Sequence, residues 1–247
     1  LNFSGDFKEK VIDKFVREYQ AGRTPNPCID CNTYMKFDRL YRRARLLDCD
    51  YIATGHYAIT EQQEDGTYAL KRGLDETKDQ SYVLYQLSQD QLKHTLFPLG
   101  SMKKAEIRMI AGEQGFVNAS KPDSQDICFV PDGDYAAAIE RFSGLSEKPG
   151  DFVLQDGTVI GKHRGISHYT IGQRKGLGIA YSSPLYVLSI DPLRNTVVLG
   201  PNESLFQRDL KVSGINWCSG RLPEEGKAIR ASVKIRYRHR DQPALVI

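Results

Sequence analysis

Cysteines are the side chains of this sequence best suited to covalent chemistry. There are five of them: Cys28, Cys31, Cys49, Cys128 and Cys218. The first two form a CxxC pair, a spacing typical of a zinc half-site or a redox motif. A structural zinc site needs a second close pair of ligands, and a redox CxxC directly follows a strand, whereas this pair follows two prolines. Spacing alone therefore leaves a functional and a structural interpretation equally open.

The position of Cys31 favours a nucleophile. Apolar residues recur at helical spacing between Phe37 and Leu47, which predicts a helix with Asn32 or Thr33 as its cap. Cys31 would then lie near the helix N-terminus, where unpaired N–H groups and the helix dipole favour the thiolate.

The other three cysteines carry weaker signals. Cys128 enters a β-prone stretch, and on its own it is predicted to be a buried, hydrophobe-like thiol. Cys49 and Cys218 have apolar neighbours and no adjacent base, so we interpret them as structural.

Two basic segments could contact phosphate groups. The segment Gly172–Gly178 places Arg174 and Lys175 on a glycine-rich loop, although it lacks the Walker A order. A second set of basic residues alternates with apolar and aromatic ones: Lys234, Arg236, Arg238 and Arg240. A strand here would present four positive charges on one face, which suits a phosphate backbone and equally suits a protected edge strand.

The elements that must position these residues follow from periodicity. An amphipathic helix is predicted from Phe7 to Tyr19, and a second from Lys103 to Gly115. A short strand, Tyr51–Thr54, ends at Gly55 and indicates an α/β sheet. Hairpins are predicted over 152–160 and 186–199, so the second half is mainly β, and the clearest boundary falls within 131–150.

Composition restricts the class of protein. The chain has 247 residues, 40% of them hydrophobic, and a net charge of +3, which is weak evidence for a polyanionic partner. Neither a membrane span nor a signal sequence is recognisable, so we expect no membrane partner and a cytoplasmic location, or a mitochondrial one in a eukaryote. The first residue is Leu1 and the last segment resembles a shortened strand, so we expect sequence to be missing at both ends.

Several motifs occur together in a characteristic order. They are Gly22-Arg23-Thr24-Pro25-Asn26-Pro27-Cys28-Ile29-Asp30-Cys31-Asn32, Ala53-Thr54-Gly55-His56-Tyr57, Lys78-Asp79-Gln80-Ser81-Tyr82, Ser124-Gln125-Asp126-Ile127-Cys128-Phe129, and the segment 168–178. In this order they resemble the tRNA-specific 2-thiouridylase family of bacteria and mitochondria, from about residue 7 to the end of the chain.

The resemblance implies a fold and a reaction. The fold would be an α/β PP-loop domain of the adenine nucleotide alpha hydrolase-like class, without its N-terminal part, over residues 1–132. A small β-rich central domain would cover 133–203, and the start of a C-terminal β-barrel would cover 204–247. The reaction would be ATP-dependent sulfur transfer to the C2 position of the wobble uridine 34 of tRNA, through O2 adenylation and a cysteine persulfide.

The resemblance also implies roles for individual residues. Cys31 would be the nucleophile and Cys128 the persulfide carrier, and the two would form an alternate disulfide. Gly55 would contact ATP. The remaining correspondences are contacts with tRNA: Asn26, Pro27, Cys28, His56, Lys78, Asp79, Gln80, Arg236 and Tyr237. ATP with Mg²⁺ and a sulfur-donor protein, either a relay carrier or a cysteine desulfurase, complete the expected set of partners.

Two departures from the family pattern leave alternatives open. The Ser-Gly-Gly-x-Asp-Ser nucleotide loop is absent from these residues, so we expect no competent ATP binding by this chain alone, and a non-catalytic tRNA-binding fragment is the alternative function. Cys28 stands where many members have Asp, so Cys28, Cys31 and Cys128 could instead hold a [4Fe–4S] cluster with one open iron.

Overall fold

A computed structural model describes residues 2–121, 127–237 and 239–247 of the protein. The α-helices are α1 (Ser4–Phe7), α2 (Asp13–Gln20), α3 (Pro27–Asp30), α4 (Tyr41–Leu46), α5 (Gln89–Lys93), α6 (Lys104–Glu113) and α7 (Tyr135–Ser143). The strands are β1 (Ile52–Ala53), β2 (Ala58–Gln62), β3 (Tyr68–Arg72), β4 (Thr95–Leu96), β5 (Gly150–Leu154), β6 (Val159–His163), β7 (Tyr186–Asp191), β8 (Thr196–Gly200), β9 (Ile229–Val233) and β10 (Gln242–Val246).

Two π-helical segments join helices of the N-terminal region. Lys8–Ile12 links α1 to α2, and Cys31–Leu40 links α3 to α4. Short 3₁₀ turns occur at Ser81–Val83, Ile166–His168 and Asn202–Leu205. The chain forms two compact units, each built from two separate stretches of sequence: unit 1 comprises 1–35 and 122–213, and unit 2 comprises 36–121 and 214–247.

The helical part of unit 1 is built on α2. The predicted apolar face is buried, through Val11 of the preceding π-helical segment and through Phe15, Val16 and Tyr19 of α2. This face packs against Ile139 of α7. Gly22 follows with φ +70°, a conformation that L side chains rarely adopt, so the helix ends where the sequence predicts.

The β part of unit 1 is a four-stranded sheet with the order β6-β5-β8-β7. The predicted hairpins are confirmed as the antiparallel pairs β5–β6 and β7–β8. The central pair β5–β8 is parallel, with Phe152 opposite Val197. Both of these residues are fully buried and form the core of the sheet together with Leu199 and Val187.

Unit 2 contains three two-stranded ladders and α4, α5 and α6. The predicted strand near residue 52 is confirmed as β1, which pairs in parallel with β4, and β2 pairs with β3 in antiparallel fashion. The core is formed by Phe37, Ile52, Leu84, Leu87, Leu92 and Phe97. A Cβ atom at Gly100 would lie 1.8 Å from the carbonyl oxygen of Ala58, so only glycine lets this loop approach β2. The predicted helix of this region is confirmed as α6.

The prediction of a basic strand over 234–240 is wrong. Strand β9 ends at Val233, where it pairs with Gln242 of β10, and the residues between them form the connection of this hairpin. Charged residues that alternate with apolar ones have the sequence pattern of a half-exposed strand. Here, however, the chain must reverse direction so that Ala244 and Leu245 can pair with β9. Lys234, Arg236 and Arg240 therefore do not belong to a strand, and Arg238 lies outside the described residues.

Candidate functional site

The turn that carries Cys28 begins a helix, and the two residues before Cys28 determine where that helix starts. Asn26 has extended backbone angles (φ −110°, ψ 94°), and its Oδ1 accepts a hydrogen bond of 3.1 Å from the backbone N–H of Cys28. Pro27 occupies the first helical position, where its fixed φ suits the helix and its missing N–H costs nothing. Asn26 is therefore the cap, and the prediction of Asn32 or Thr33 is wrong, because the Asn-Pro pair starts the helix one and a half turns earlier.

This earlier start changes the surroundings of Cys31. Its backbone N–H is bonded within the helix to the carbonyl oxygen of Pro27, so Cys31 lies in the second turn. The dipole effect decays within the first turn, which favours Cys28 over Cys31 as the thiol at the helix end. Cys28 is exposed and Cys31 is half-buried.

A partly buried ion pair connects the cysteine turn to α2. Lys14 Nζ donates a hydrogen bond of 2.6 Å to Oδ1 of Asp30, whose residue is 8% exposed. Partial burial lowers the pKa of Lys14, but the hydrogen bond and charge of Asp30 outweigh this effect and the net pKa is raised. The ammonium groups of Lys10 and Lys14 also lie 5.5 Å and 5.9 Å from the centre of the Tyr34 ring. Asp30 is thereby held between the two cysteines as the anchor of their turn.

Cys128 is anchored to the same helix through its neighbour. The ring of Phe129 packs edge-on against Phe15 of α2 at 5.3 Å and against Phe7 at 5.9 Å. Ile127 joins the same apolar cluster, whereas Cys128 itself is exposed. The prediction of a buried Cys128 is wrong, because its two neighbours take the inward positions. Residues 124–126 of the motif around it lie outside the described residues.

A cluster site formed by Cys28, Cys31 and Cys128 does not fit this arrangement. All three lie within the described residues, where no group of three or more Cys, His, Asp or Glu side chains is placed to hold a metal ion. The described part of the chain likewise has no such group of side chains that could hold Mg²⁺.

His56, in unit 2, is a core residue that is 6% exposed. Lys36 Nζ lies 3.2 Å from its Nε2, and Oγ1 of Thr54 lies 2.8 Å from its Nδ1. An ammonium group can only donate, so Nε2 accepts and Nδ1–H donates to the threonine. Burial, followed by the charge of Lys36, lowers the pKa of His56 from 6.5 to about 4. The ring is therefore neutral near pH 7, with a defined tautomer.

The segments beside His56 differ in how accessible they are. Gly55 is exposed, and a Cβ atom added there would make only an ordinary contact with Leu99 at 3.6 Å. Asp79 accepts hydrogen bonds from the backbone N–H groups of Gly73 and Ser81, at 3.1 and 3.2 Å. Gln80 is bonded through its side chain and its backbone to Tyr57. The carboxylate and amide of this motif thus fix its loop, and Lys78, its cation, is half-buried.

The β9–β10 connection holds the last predicted contacts. Tyr237 is 45% exposed, and its ring lies 6.2 Å from the ring of Tyr82. Lys234 Nζ lies 5.8 Å and 5.5 Å from the centres of these two rings. The hydroxyl of Tyr82 also donates to the carbonyl oxygen of Ile235 at 3.2 Å. These contacts connect the Lys78–Tyr82 motif to the segment with Arg236 within unit 2.

Sequence reasoning did not assign roles to Lys14, Lys36 or Tyr82. Each of them contacts a predicted site residue that lies far from it in the sequence. A single sequence gives no indication of contacts between such distant residues. Asp30 lies inside the CxxC spacing, and this position is the one indication of its role in the sequence.

Comparison with known proteins identifies the family of this chain. The family model described as tRNA methyl transferase HUP domain matches residues 1–132, and the one described as tRNA methyl transferase PRC-barrel domain matches 142–201. Curated relatives named tRNA-specific 2-thiouridylase MnmA, from Clostridioides difficile and Geotalea uraniireducens, are each 50% identical over the whole chain. A third, from Thermoanaerobacter pseudethanolicus, is 51% identical. The chain belongs to the tRNA-specific 2-thiouridylase family.

Membership confirms the predicted resemblance and fold class, a PP-loop-like HUP domain followed by a PRC-barrel domain. The chain spans 68%, 65% and 67% of the lengths of these three relatives. ATP binding is a property of the PP-loop class. The predicted domain boundaries at 132 and 203 and the roles of the site residues stay predictions. Among the described residues, no helix is both long and apolar enough to cross a lipid bilayer.

Proposed function

We propose that this protein transfers sulfur to C2 of uridine 34 in tRNA, at the expense of ATP. The observation that carries the proposal is the identity of about 50% to 2-thiouridylases over all 247 residues. tRNA is then the substrate, and a relay carrier or cysteine desulfurase supplies the sulfur. A cytoplasmic site of action follows from the substrate, or a mitochondrial one in a eukaryote.

The chemical problem is that the carbonyl group at C2 of uridine is a poor electrophile. Attack of O2 on the α-phosphate of ATP releases pyrophosphate and converts the oxygen into part of an AMP leaving group. Gly55, exposed at the end of β1, is the residue of this chain proposed to contact the nucleotide.

Two cysteines then divide the sulfur transfer. The terminal sulfur of a persulfide on Cys128 attacks C2, AMP leaves, and the base is joined to Cys128 through an S–S bond. The thiolate of Cys31 attacks Sγ of Cys128, so this bond breaks and its electron pair stays on the sulfur of 2-thiouridine. A Cys31–Cys128 disulfide remains, and an external thiol must reduce it before the next turnover.

The structure supports this division through the anchoring of both segments. Asp30, between the CxxC cysteines, is bonded to Lys14 of α2, and Phe129, beside Cys128, packs on Phe15 of the same helix. Both cysteine segments are therefore anchored on α2 of unit 1. Exposure of Cys128 suits a sulfur that must be loaded by another protein.

The proposed contacts with tRNA lie in both units. In unit 1, Asn26, Pro27 and Cys28 would face the target base, which has to leave its stack to reach the sulfur. In unit 2 the residues proposed to contact tRNA are His56, Lys78, Asp79, Gln80, Arg236 and Tyr237. Because the polar atoms of His56, Asp79 and Gln80 bond within the protein, we propose that these three act by shaping the surface around Lys78 and Tyr237.

The test uses full-length protein, ATP, a sulfur donor and unmodified tRNA, with 2-thiouridine measured by mass spectrometry of nucleosides. We expect Cys31→Ser and Cys128→Ser each to abolish thiolation, and Cys49→Ser, an exposed thiol outside both segments, to retain it. After loading with the donor, Cys31→Ser should keep one extra sulfur atom on Cys128. Thiolation by either serine variant would overturn the assigned roles, and tRNA binding without thiolation by the wild type would favour the non-catalytic alternative.

A further inference from the structure

A loop in unit 1 carries positive charge that has no role in the proposed sulfur transfer. We name residues 172–185 the glycine loop. Its residues 174 and 176–185 line a cavity of about 650 Å³, a size within the range of ligand sites. Arg174 and Lys175 are exposed on it and form no salt bridge with any residue in the described ranges.

The sequence around this loop contains basic residues and no acidic ones. No acidic residue occurs between Asp156 and Asp191, whereas this stretch contains Lys162, Arg164, Arg174 and Lys175. The loop therefore offers positive charge that no carboxylate of its own stretch neutralises.

The glycine loop is also held in a fixed shape. Its first residues are bonded to β7, where the N–H of Gly172 donates to the carbonyl oxygen of Val187 at 2.8 Å and the N–H of Val187 donates to that of Gln173 at 3.0 Å. The Gln173 side chain accepts from the N–H of Thr170 and donates to the carbonyl oxygen of Lys175, both at 3.0 Å. A loop that is already ordered loses little conformational entropy when a ligand binds.

Buried anchors let the polar part of the loop face outward. Leu177 and Leu185 are 9% and 8% exposed and belong to the core of the four-stranded sheet. Between them, Ser182 and Ser183 are exposed, and the ring of Tyr181 is 48% exposed. Hydroxyl donors, two cations and an accessible aromatic ring are the groups that bind the phosphates and bases of RNA.

We infer that the glycine loop binds the sugar-phosphate backbone of the tRNA substrate, with Arg174 and Lys175 each on one phosphate. This inference rests on the proposed function and adds a contact surface in the PRC-barrel domain to it. The loop contains no cysteine and no residue of the proposed sulfur transfer, so it acts on binding and not on the sulfur chemistry. Phosphate contacts of this kind carry affinity and its dependence on salt, because bound cations of the RNA are released.

The experiment measures the affinity of full-length protein for unmodified tRNA over a series of KCl concentrations. We expect Arg174→Ala/Lys175→Ala to reduce the slope of log affinity against log salt by about two, one for each phosphate contact. The KM for tRNA should rise while kcat at saturating tRNA stays unchanged. The matched control is Lys162→Ala/Arg194→Ala, which removes the same charge from unit 1 at positions already paired with Asp151 and Asp191.

Each outcome decides the inference. A slope equal to that of the wild type, or an equal decrease in the control, would overturn it. Unchanged tRNA affinity with slower turnover only when a protein sulfur donor is used, and not with inorganic sulfide, would assign the loop to an acidic protein instead. A wild type that binds tRNA with this salt dependence but never thiolates it would refute the proposed function and leave the loop's role intact.

Discussion

The turn at Cys28 and Cys31 and the turn at Gly55 and His56 present polar chemistry in opposite ways. The first exposes a thiol on a capped helix, with a carboxylate beneath it that is bonded to Lys14. The second buries an imidazole among Phe37 and Phe97 and satisfies both of its nitrogens within the protein. One turn is built so that its side chains can react, and the other so that its backbone keeps one shape.

The largest expected effect concerns the buried turn. The pKa of His56 in the folded protein, about 4, lies below its value of 6.5 in the unfolded chain, so between these pH values only the unfolded chain binds the proton. Lowering the pH from 6.5 to 4 should therefore reduce the free energy of unfolding by about 3 kcal/mol, at about 1.36 kcal/mol per pKa unit. Urea unfolding at several pH values measures this.

The control for this prediction is His56→Gln, which keeps a polar side chain beside Lys36 and does not titrate. The variant should lose less stability over the same pH window. An equal pH dependence in both proteins would mean that other groups carry it and that His56 is not protected from protonation.

The second effect concerns the anchor of the exposed turn. Lys14→Met leaves the carboxylate of Asp30 in a site that is 8% exposed without its ammonium partner, and we expect a loss of about 1–3 kcal/mol in urea unfolding. Lys14→Arg keeps the charge and should lose less. Wild-type stability of the methionine variant would show that the turn needs no anchor. A slower kcat for thiolation in that variant, with KM for tRNA unchanged, would extend the anchor's role to positioning Cys31.

The third effect separates capping from base contact at Asn26. Asn26→Ala removes the acceptor for the Cys28 N–H and should cost about 1 kcal/mol of stability. Asn26→Asp restores that acceptor but lacks the amide donor. If the amide contacts the target base, the aspartate variant will be stable yet thiolate slowly. Full activity of Asn26→Asp would show that capping is the whole role of this residue.

The smallest effect lies in the β9–β10 connection. Lys234→Gln removes the cation from the Tyr82 and Tyr237 rings and should cost about 0.5–1 kcal/mol in thermal unfolding. Lys234→Arg, which keeps a cation, should behave as the wild type. If the glutamine variant weakens tRNA binding without losing stability, Lys234 contacts tRNA directly and does not position Tyr237.

Local patterns predicted the parts of the fold that depend on local physics. The buried face of α2 follows from helical spacing, and the two hairpins of unit 1 follow from alternation around short polar turns. The same reasoning failed at residues 234–240, because a connection rich in alternating charges has the period of a strand. It also predicts the helix cap six residues too late, because the Asn26-Pro27 pair starts the helix well before the apolar spacing begins at Phe37.

The site was less predictable because its contacts are distant in sequence. Lys14 and Asp30, or Lys36 and His56, belong to segments that no local period connects. Periodicity left Cys128 as a buried thiol, and only the resemblance paired it with Cys31. Its exposure follows from Phe129, whose ring takes the inward position that sequence reasoning gave to the thiol.

The division of unit 1 into two stretches has a consequence for synthesis on the ribosome. Residues 1–35 emerge before the 86 residues 36–121 of unit 2, and the Phe129 side of their core follows only after those have been made. At about 5–20 residues per second, this leaves Phe15 of α2 without its Phe129 contact for roughly 4–17 s. During that interval Cys28 and Cys31 are open to oxidants and to each other, so a reducing milieu protects the nascent chain before the enzyme has any sulfur to carry.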